Sequence, residues 1–307
     1  MNIPHITAEA AEPHLDWLAV AAALEAGHDL PKAQMQDVVL ERGEDVMLSR
    51  HAWIDGLGAL VKTAMIFPEN MQRFGRANLN GNVALYGDAD GCLSATLDFA
   101  LVTKWKTAGD SLLAALKLAR PDSRNILVLG AGTVARSLIE AYSAGFPDAR
   151  FTLWNRTAAK LPALVQAFPG HDITIAADLE HAVRAADIVT SGTMAYQPFL
   201  RGAWLQPGQH VDLIGAYLPE MREADDEAMR RSRIFVDSYE TTVEQIGELI
   251  DPIRNGTISR DDILADFHDL PSGRFARSSS DEITLHKNGG GAHLDLMIAA
   301  HIREVCR

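Results

Sequence analysis

Residues 125–155 carry a strand, a glycine-rich turn and a helix in immediate succession, and this restricts the fold more than any other stretch of the chain. Ile126-Leu127-Val128-Leu129 is a continuous apolar run, the pattern of a strand covered on both faces. It leads into Gly130-Ala131-Gly132-Thr133-Val134-Ala135, after which a helical pattern continues to Ala144. In such a unit the first glycine permits the tight turn and the second lets the backbone approach a pyrophosphate. A small third residue, here Ala135, lets the helix pack on the strand. The helix amino terminus offers N–H groups to the phosphates. Gly130, Ala131, Gly132, Thr133 and Val134 are therefore candidate dinucleotide-binding residues.

Strand and helix patterns then alternate, with strands expected at 125–129, 150–154, 173–176, 187–190, 210–214 and 233–236. That alternation predicts a parallel, Rossmann-type doubly wound sheet of about six strands. Binders of NAD usually present an acid after the second strand, whereas this chain reads Asn155-Arg156-Thr157. Arg156 and Thr157 suit a 2′-phosphate that an acid would repel, so NADP(H) is favoured over NAD(H). Residues 16–27 predict an amphipathic helix, and short β-type runs follow at 36–40, 45–49, 60–66 and 82–86. A helical pattern over 101–118 stops before Pro121, where the first boundary is placed. The expected organisation is a smaller α+β domain over 1–118, completed by a returning helical segment at 290–307, and a Rossmann domain over 119–289.

A formal net charge of −13 over 307 residues argues against a phosphate-backbone interface, so no nucleic-acid partner is expected. Cys92 and Cys306 form no metal-binding spacing, and no metal site is expected. No run reaches the roughly 18 apolar residues of a membrane span, and the amino terminus lacks a basic-then-apolar leader. A cytoplasmic protein without membrane partners is the expectation.

Thr103-Lys104-Trp105-Lys106-Thr107-Ala108-Gly109, Leu118-Ala119-Arg120-Pro121-Asp122-Ser123 and Gly130-Ala131-Gly132 together resemble the ornithine cyclodeaminase/mu-crystallin family. Thr190-Ser191-Gly192-Thr193 is similar to that family's threonine-rich turn after the fourth Rossmann strand. Gly215-Ala216-Tyr217-Leu218-Pro219 with Arg222-Glu223 is similar to its Gly-Ala-x-x-Pro segment. Residues 281–287 and Asp295-Leu296 resemble its closing helix motif, and the likeness runs from about Gln36 onward. It implies an NAD(P)H-dependent oxidoreductase moving hydride at the α-carbon of a small amino or imino acid. It also implies a homodimer whose amino-terminal domain supplies substrate groups and the interface. Ser191, Thr193, Gly215 and Asn155 join the cofactor candidates on this basis.

Lys62, within Leu60-Val61-Lys62-Thr63-Ala64, falls at the family's catalytic lysine. A lysine in an apolar strand is costly without a partner, which favours a functional role over a snorkelling one. Lys106 stands where most members carry a carboxylate-gripping arginine, and Gln36 aligns with a second such arginine. Lys106 retains charge without the bidentate fork. Lys104 is a weaker candidate for the same role. Asn78 and Asn80 are candidate substrate contacts or turn residues, and His286 and His293 are expected to pack or to sit at helix ends. Tyr217 replaces the aspartate that cyclodeaminases and alanine dehydrogenase relatives carry, and a phenol does not serve as a base near neutral pH. The expected reaction is NADPH-dependent reduction of Δ1-pyrroline-2-carboxylate, or Δ1-piperideine-2-carboxylate, to L-proline or L-pipecolate. The alternatives are an alanine-type dehydrogenase, an ornithine cyclodeaminase and a non-catalytic NADPH-binding protein.

Overall fold

The computed structural model describes residues 3–306 and forms two compact units, one running to Lys106 and resumed at Gly290, the other Thr107–Gly289. The sequence places the first boundary after residue 118. In the structure the division falls inside the helix Phe99–Leu118, because its later turns pack into the second unit. Leu112, Leu113 and Ala115 are buried there, and Tyr142 donates to the Ser111 carbonyl at 3.4 Å.

The first unit contains β1 (His5–Ile6), β2 (Gln34–Arg42), β3 (Asp45–Ile54), β4 (Gly58–Ile66), β5 (Leu79–Tyr86) and β6 (Leu93–Asp98), in the order β1-β6-β5-β4-β3-β2. Every pairing is antiparallel except β1 with β6. Sequence reading missed β6, although Ala95 and Leu97 are buried at the period of two that marks a strand. Ala52, Leu60, Ala64, Val83 and Leu85 bury one face of this sheet, against which the helix Ala292–Val305 packs. That helix in turn packs on Trp17–His28. The two helices approach closely at Gly27, where a Cβ would lie 2.5 Å from Met297 Sδ. On the other face Val38, Leu40 and Trp53 are exposed.

The second unit holds β7 (Asn125–Leu129), β8 (Arg150–Trp154), β9 (Ile173–Ile175), β10 (Ile188–Ser191), β11 (His210–Leu213), β12 (Ser232–Val236), β13 (Ile263–Ala265) and β14 (Ile283–Lys287). All pair in parallel, in the order β13-β12-β14-β11-β10-β7-β8-β9. The sheet has eight strands among the described residues, not about six. Residues 281–287, likened to a closing helix motif, supply the interior strand β14. His286 therefore sits in a strand. It is fully buried, with Nδ1 3.1 Å from Asp212 Oδ1 and Nε2 3.7 Å from Asp110 Oδ1. Strand order reverses between β7 and β10, the switch point beside which ligands bind in doubly wound sheets, at the carboxyl ends of the strands. No helix among the described residues is long and apolar enough to cross a membrane.

Candidate active site

β4 alternates buried Leu60, Lys62 and Ala64 on its helix-covered face, so the lysine stem enters an apolar layer. Its ammonium meets Asp295, contributed by the helix Ala292–Val305, with Nζ donating to Oδ1 at 2.7 Å. Nζ also lies 4.6 Å above the Phe99 ring centre. Lys106 is 7% exposed and donates to the Gly290 carbonyl at 3.0 Å. Arg50 lies across the β3–β4 register from Lys62, with Nη1 3.9 Å from Asp295 Oδ2. Burial pushes Lys62 down to about 8; Asp295 opposes the fall, and the charges of Lys106 and Arg50 add to it. Burial raises Asp295, but Lys62, Lys106 and Arg50 together bring it below the usual carboxylate range. The result is a largely buried cationic cluster gathered around Asp295, with Asp37 holding the outer edge of Arg50, chemistry suited to an α-carboxylate and to proton donation.

The other substrate candidates lie elsewhere in this unit. Gln36 pairs with His51, one residue out of step with Arg50, so it leaves the sheet on the face opposite Lys62. Asp37 is the β2 residue that shares the Lys62 face. Asn80 pairs with Met65 and also projects from the opposite face. Its amide donates to the Ala77 carbonyl at 2.7 Å, and Asn78 Oδ1 accepts from the Met71 amide at 2.9 Å. These are bonds of the loop leading into β5. Lys104 bonds both oxygens of Glu12, at 3.0 and 2.9 Å, beside the Trp17 and Trp105 rings. His293 is buried edge-on to His28.

In the second unit, β7 delivers Gly130 with φ of 124°, a conformation that side-chain-bearing residues rarely adopt. Its amide donates to the Trp154 carbonyl at 2.9 Å, which ties the turn to the end of β8. A Cβ there would lie 3.2 Å from the Gly192 carbonyl oxygen, so the turns after β7 and β10 touch. Gly132 caps the helix Thr133–Gly145 with no side-chain hydrogen bond, and a Cβ on it would meet no heavy atom within 4 Å. That open approach to uncapped first-turn amides fits a dinucleotide pyrophosphate. Ala131, Thr133 and Val134 line the same turn. Asn155 and Thr157 are joined by an Nδ2–carbonyl bond of 2.9 Å, and exposed Arg156 stands between them.

One carboxylate organises the loops after β10 and β11. Glu223 Oε1 accepts from Ser191 Oγ at 2.6 Å, Thr193 Oγ1 at 2.6 Å and the Thr193 amide at 2.9 Å. Its Oε2 accepts from the amides of Gly215 and Ala216 at 2.7 and 3.2 Å. Beneath it, Glu248 accepts from the amides of Glu223 and Ala224 at 2.8 and 2.9 Å. Burial, with the Glu223 charge adding, pushes Glu248 up to about 7. Burial also lowers fully buried Lys287, whose Nζ donates to the carbonyls of Leu213 and Asn288. Tyr217 is half-exposed, and burial with neighbouring Tyr196 and Glu220 raises its phenol, so it supplies no base near neutral pH.

Sequence reasoning assigned no role to Asp295, Glu223 or Arg50. An acid within Leu294-Asp295-Leu296-Met297 carries the same signal that singled out Lys62, a charge in an apolar run. Glu223 and Arg50 give no such local signal.

The family model described as "Ornithine cyclodeaminase/mu-crystallin family" matches residues 42–307. The chain belongs to the ornithine cyclodeaminase/mu-crystallin family. Among curated members it is 50% identical over 296 residues to a Δ1-pyrroline-2-carboxylate reductase of Paracoccus denitrificans (strain Pd 1222), covering 95% of this chain and 93% of that one. It is 31% identical to the ketimine reductase mu-crystallin of Mus musculus, over 78% of this chain and 74% of the relative. The solved structure of Thermococcus litoralis Δ1-pyrroline-2-carboxylate reductase in complex with NADH and L-proline matches with a TM-score of 0.90 at 23% identity, over 99% of this chain and 97% of that one. The two share the family fold, an α/β Rossmann-type unit with a second, smaller unit.

Proposed function

We propose that this family member reduces a cyclic α-imino acid, Δ1-pyrroline-2-carboxylate or its six-membered homologue, to L-proline or L-pipecolate with NADPH. The observation that carries the reading is the buried Lys62–Asp295 pair with Lys106 beside it, a cationic seat for an α-carboxylate with a proton on Lys62 Nζ at neutral pH. The identity shared with the Paracoccus reductase supports the choice of substrate.

When bound, NADPH would supply the hydride needed at the imine carbon. Lys106 and Lys62 hold the carboxylate, and Lys62 Nζ gives a proton to the ring nitrogen as it becomes an amine. Asp295 keeps Lys62 aimed and stabilises its charged form. Glu223 fixes Ser191, Thr193 and Gly215 as one wall of the cofactor site, and Gly130, Gly132 and the helix after them cradle its pyrophosphate. Arg156 selects the 2′-phosphate. Position 217 carries a tyrosine in place of the acid that an open-chain amine would need, which favours a preformed cyclic imine. The exposed Val38, Leu40 and Trp53 face of the six-stranded sheet is the surface on which a homodimer would close.

The test is NADPH oxidation with Δ1-pyrroline-2-carboxylate, run beside pyruvate with ammonia and beside ornithine assayed for ammonia release. Turnover of the cyclic imine alone is expected. An inert imine with either of the others active would overturn the reading.

A further inference from the structure

Arg50 reaches the same acid and the same backbone carbonyl as the two lysines, from the strand next to Lys62. Its Nη1 donates to the Gly290 carbonyl at 2.5 Å, the oxygen that also accepts from Lys106 Nζ. The same nitrogen lies 3.9 Å from Asp295 Oδ2, whose companion Oδ1 holds Lys62. Asp37 clamps the opposite edge of the guanidinium, at 3.1 Å from Nε and 3.0 Å from Nη2. Among Lys62, Lys106, Arg50, Asp295 and Asp37, with both lysines charged, the cations outnumber the carboxylates by one. Asp295 Oδ2 is buried and accepts no hydrogen bond among the described residues, so the cluster is not closed upon itself.

Resting on the imino-acid reading above, we infer that Arg50 is a substrate-binding residue that grips the α-carboxylate together with Lys62 and Lys106. The excess charge matches a monoanion. Neither lysine has a planar fork; Arg50 has one whose Nε–Nη2 edge is held by Asp37 and whose Nη1 is on the Gly290 carbonyl, so a carboxylate would meet its Nη1–Nη2 end. Asp37 fixes the plane of that fork, so little side-chain freedom is lost on binding. The resemblance would assign a second carboxylate-binding cation to position 36, but β2 turns that residue to the other face. Arg50 fills the role from β3.

The experiment compares Arg50→Ala, Arg50→Lys and Asp37→Ala in the full chain with NADPH. Losing a charge-assisted bond should raise KM for Δ1-pyrroline-2-carboxylate about 10- to 100-fold in Arg50→Ala, with kcat within about threefold and NADPH affinity unchanged. Arg50→Lys should recover part of that loss. Asp37→Ala keeps the guanidinium and should move KM by less than about fivefold, since it removes only the orienting partner. A KM in Arg50→Ala within about threefold of wild type, or an equal rise in Asp37→Ala, would overturn the inference, the latter assigning Arg50 to strand pairing. Calorimetric binding of L-proline and L-alanine, each against its carboxamide, separates this inference from the reductase reading. A wild type that reduces no imine yet binds either carboxylate, with binding lost in Arg50→Ala, would sink the reductase reading and keep Arg50. A wild type that binds neither, or an Arg50→Ala protein that binds as well as wild type, would sink the Arg50 role.

Discussion

Lys62 and Asp295 meet at 2.7 Å across 233 positions of sequence, with side chains 5% and 0% exposed. A buried ion pair gains little net stability over apolar packing of the same volume, yet removing one partner leaves an uncompensated charge. The pair places an ammonium inside an apolar layer, where its proton affinity is adjustable.

Lys62 loses its proton at about 8 in the folded protein, below its ordinary value, so the ammonium needed as donor is present below that pH and lost above it. The imine kcat/KM should therefore fall as pH rises through about 8. Lys62→Ala should lower kcat by about 100-fold or more while NADPH titrates normally. Lys62→Arg, which stays charged, should be slower but lack the fall near pH 8. A fall that persists unchanged in Lys62→Arg would assign it to another group.

Asp295 raises the Lys62 pKa, so Asp295→Asn should move that alkaline limb below pH 8. Denaturant unfolding should show a loss on the order of 3 kcal/mol, since the amide leaves the lysine charge unbalanced. A limb that stays in place would mean that Asp295 does not tune Lys62.

Two glycines in the second unit should differ in how alanine affects stability. A Cβ at Gly132 projects into open space, so Gly132→Ala should fold with wild-type Tm yet bind NADPH weakly, because the methyl occupies the phosphate's approach. A Cβ at Gly215 would collide with the backbone of Thr193 and with Glu223, so Gly215→Ala should lower stability by about 2 kcal/mol as well as affinity. Thermal melts with and without NADPH check both.

Arg156→Ala should weaken NADPH binding about 10- to 100-fold and NADH binding by less than about threefold, as expected if the guanidinium pairs with the 2′-phosphate alone. Fluorescence titration of both cofactors decides it.

Glu248 is raised from near 4.5 to about 7, so the folded protein keeps a proton that the unfolded chain releases across that window. Stability should fall as pH rises from about 4.5 to 7, by on the order of 3 kcal/mol from this group. In Glu248→Gln that part of the slope should vanish, although the amide cannot accept from both the Glu223 and Ala224 amides and lowers the baseline. Equal slopes of Tm against pH in the two proteins would refute the assignment.

The β7 turn and Lys62 were legible because each is a local signal, a run of four apolar residues before glycines and a charge between apolar neighbours. β14 was not. Ile283-Thr284-Leu285-His286-Lys287 carries three polar residues in five, and only the folded sheet shows His286 paired with Asp212 and Lys287 with the Leu213 carbonyl. Arg50 was hidden for a related reason, since its place beside Lys62 depends on register between strands rather than on spacing along one. Gln36 shows the limit of alignment by resemblance, for a single-residue step in a strand exchanges one face of the sheet for the other.

β14 has a consequence for how the chain acquires its form. It is made after β12 and β13, yet it lies between β11 and β12 and pairs with both. As the polypeptide emerges amino end first, the β12–β13 pair has no strand joining it to β11 and the rest of the sheet until Ile283–Lys287 arrives. Their apolar faces, Ile234, Phe235 and Val236 among them, wait on a pairing partner of distant sequence, so completion of this sheet is a late, high-contact-order event that leaves apolar surface uncovered until it occurs.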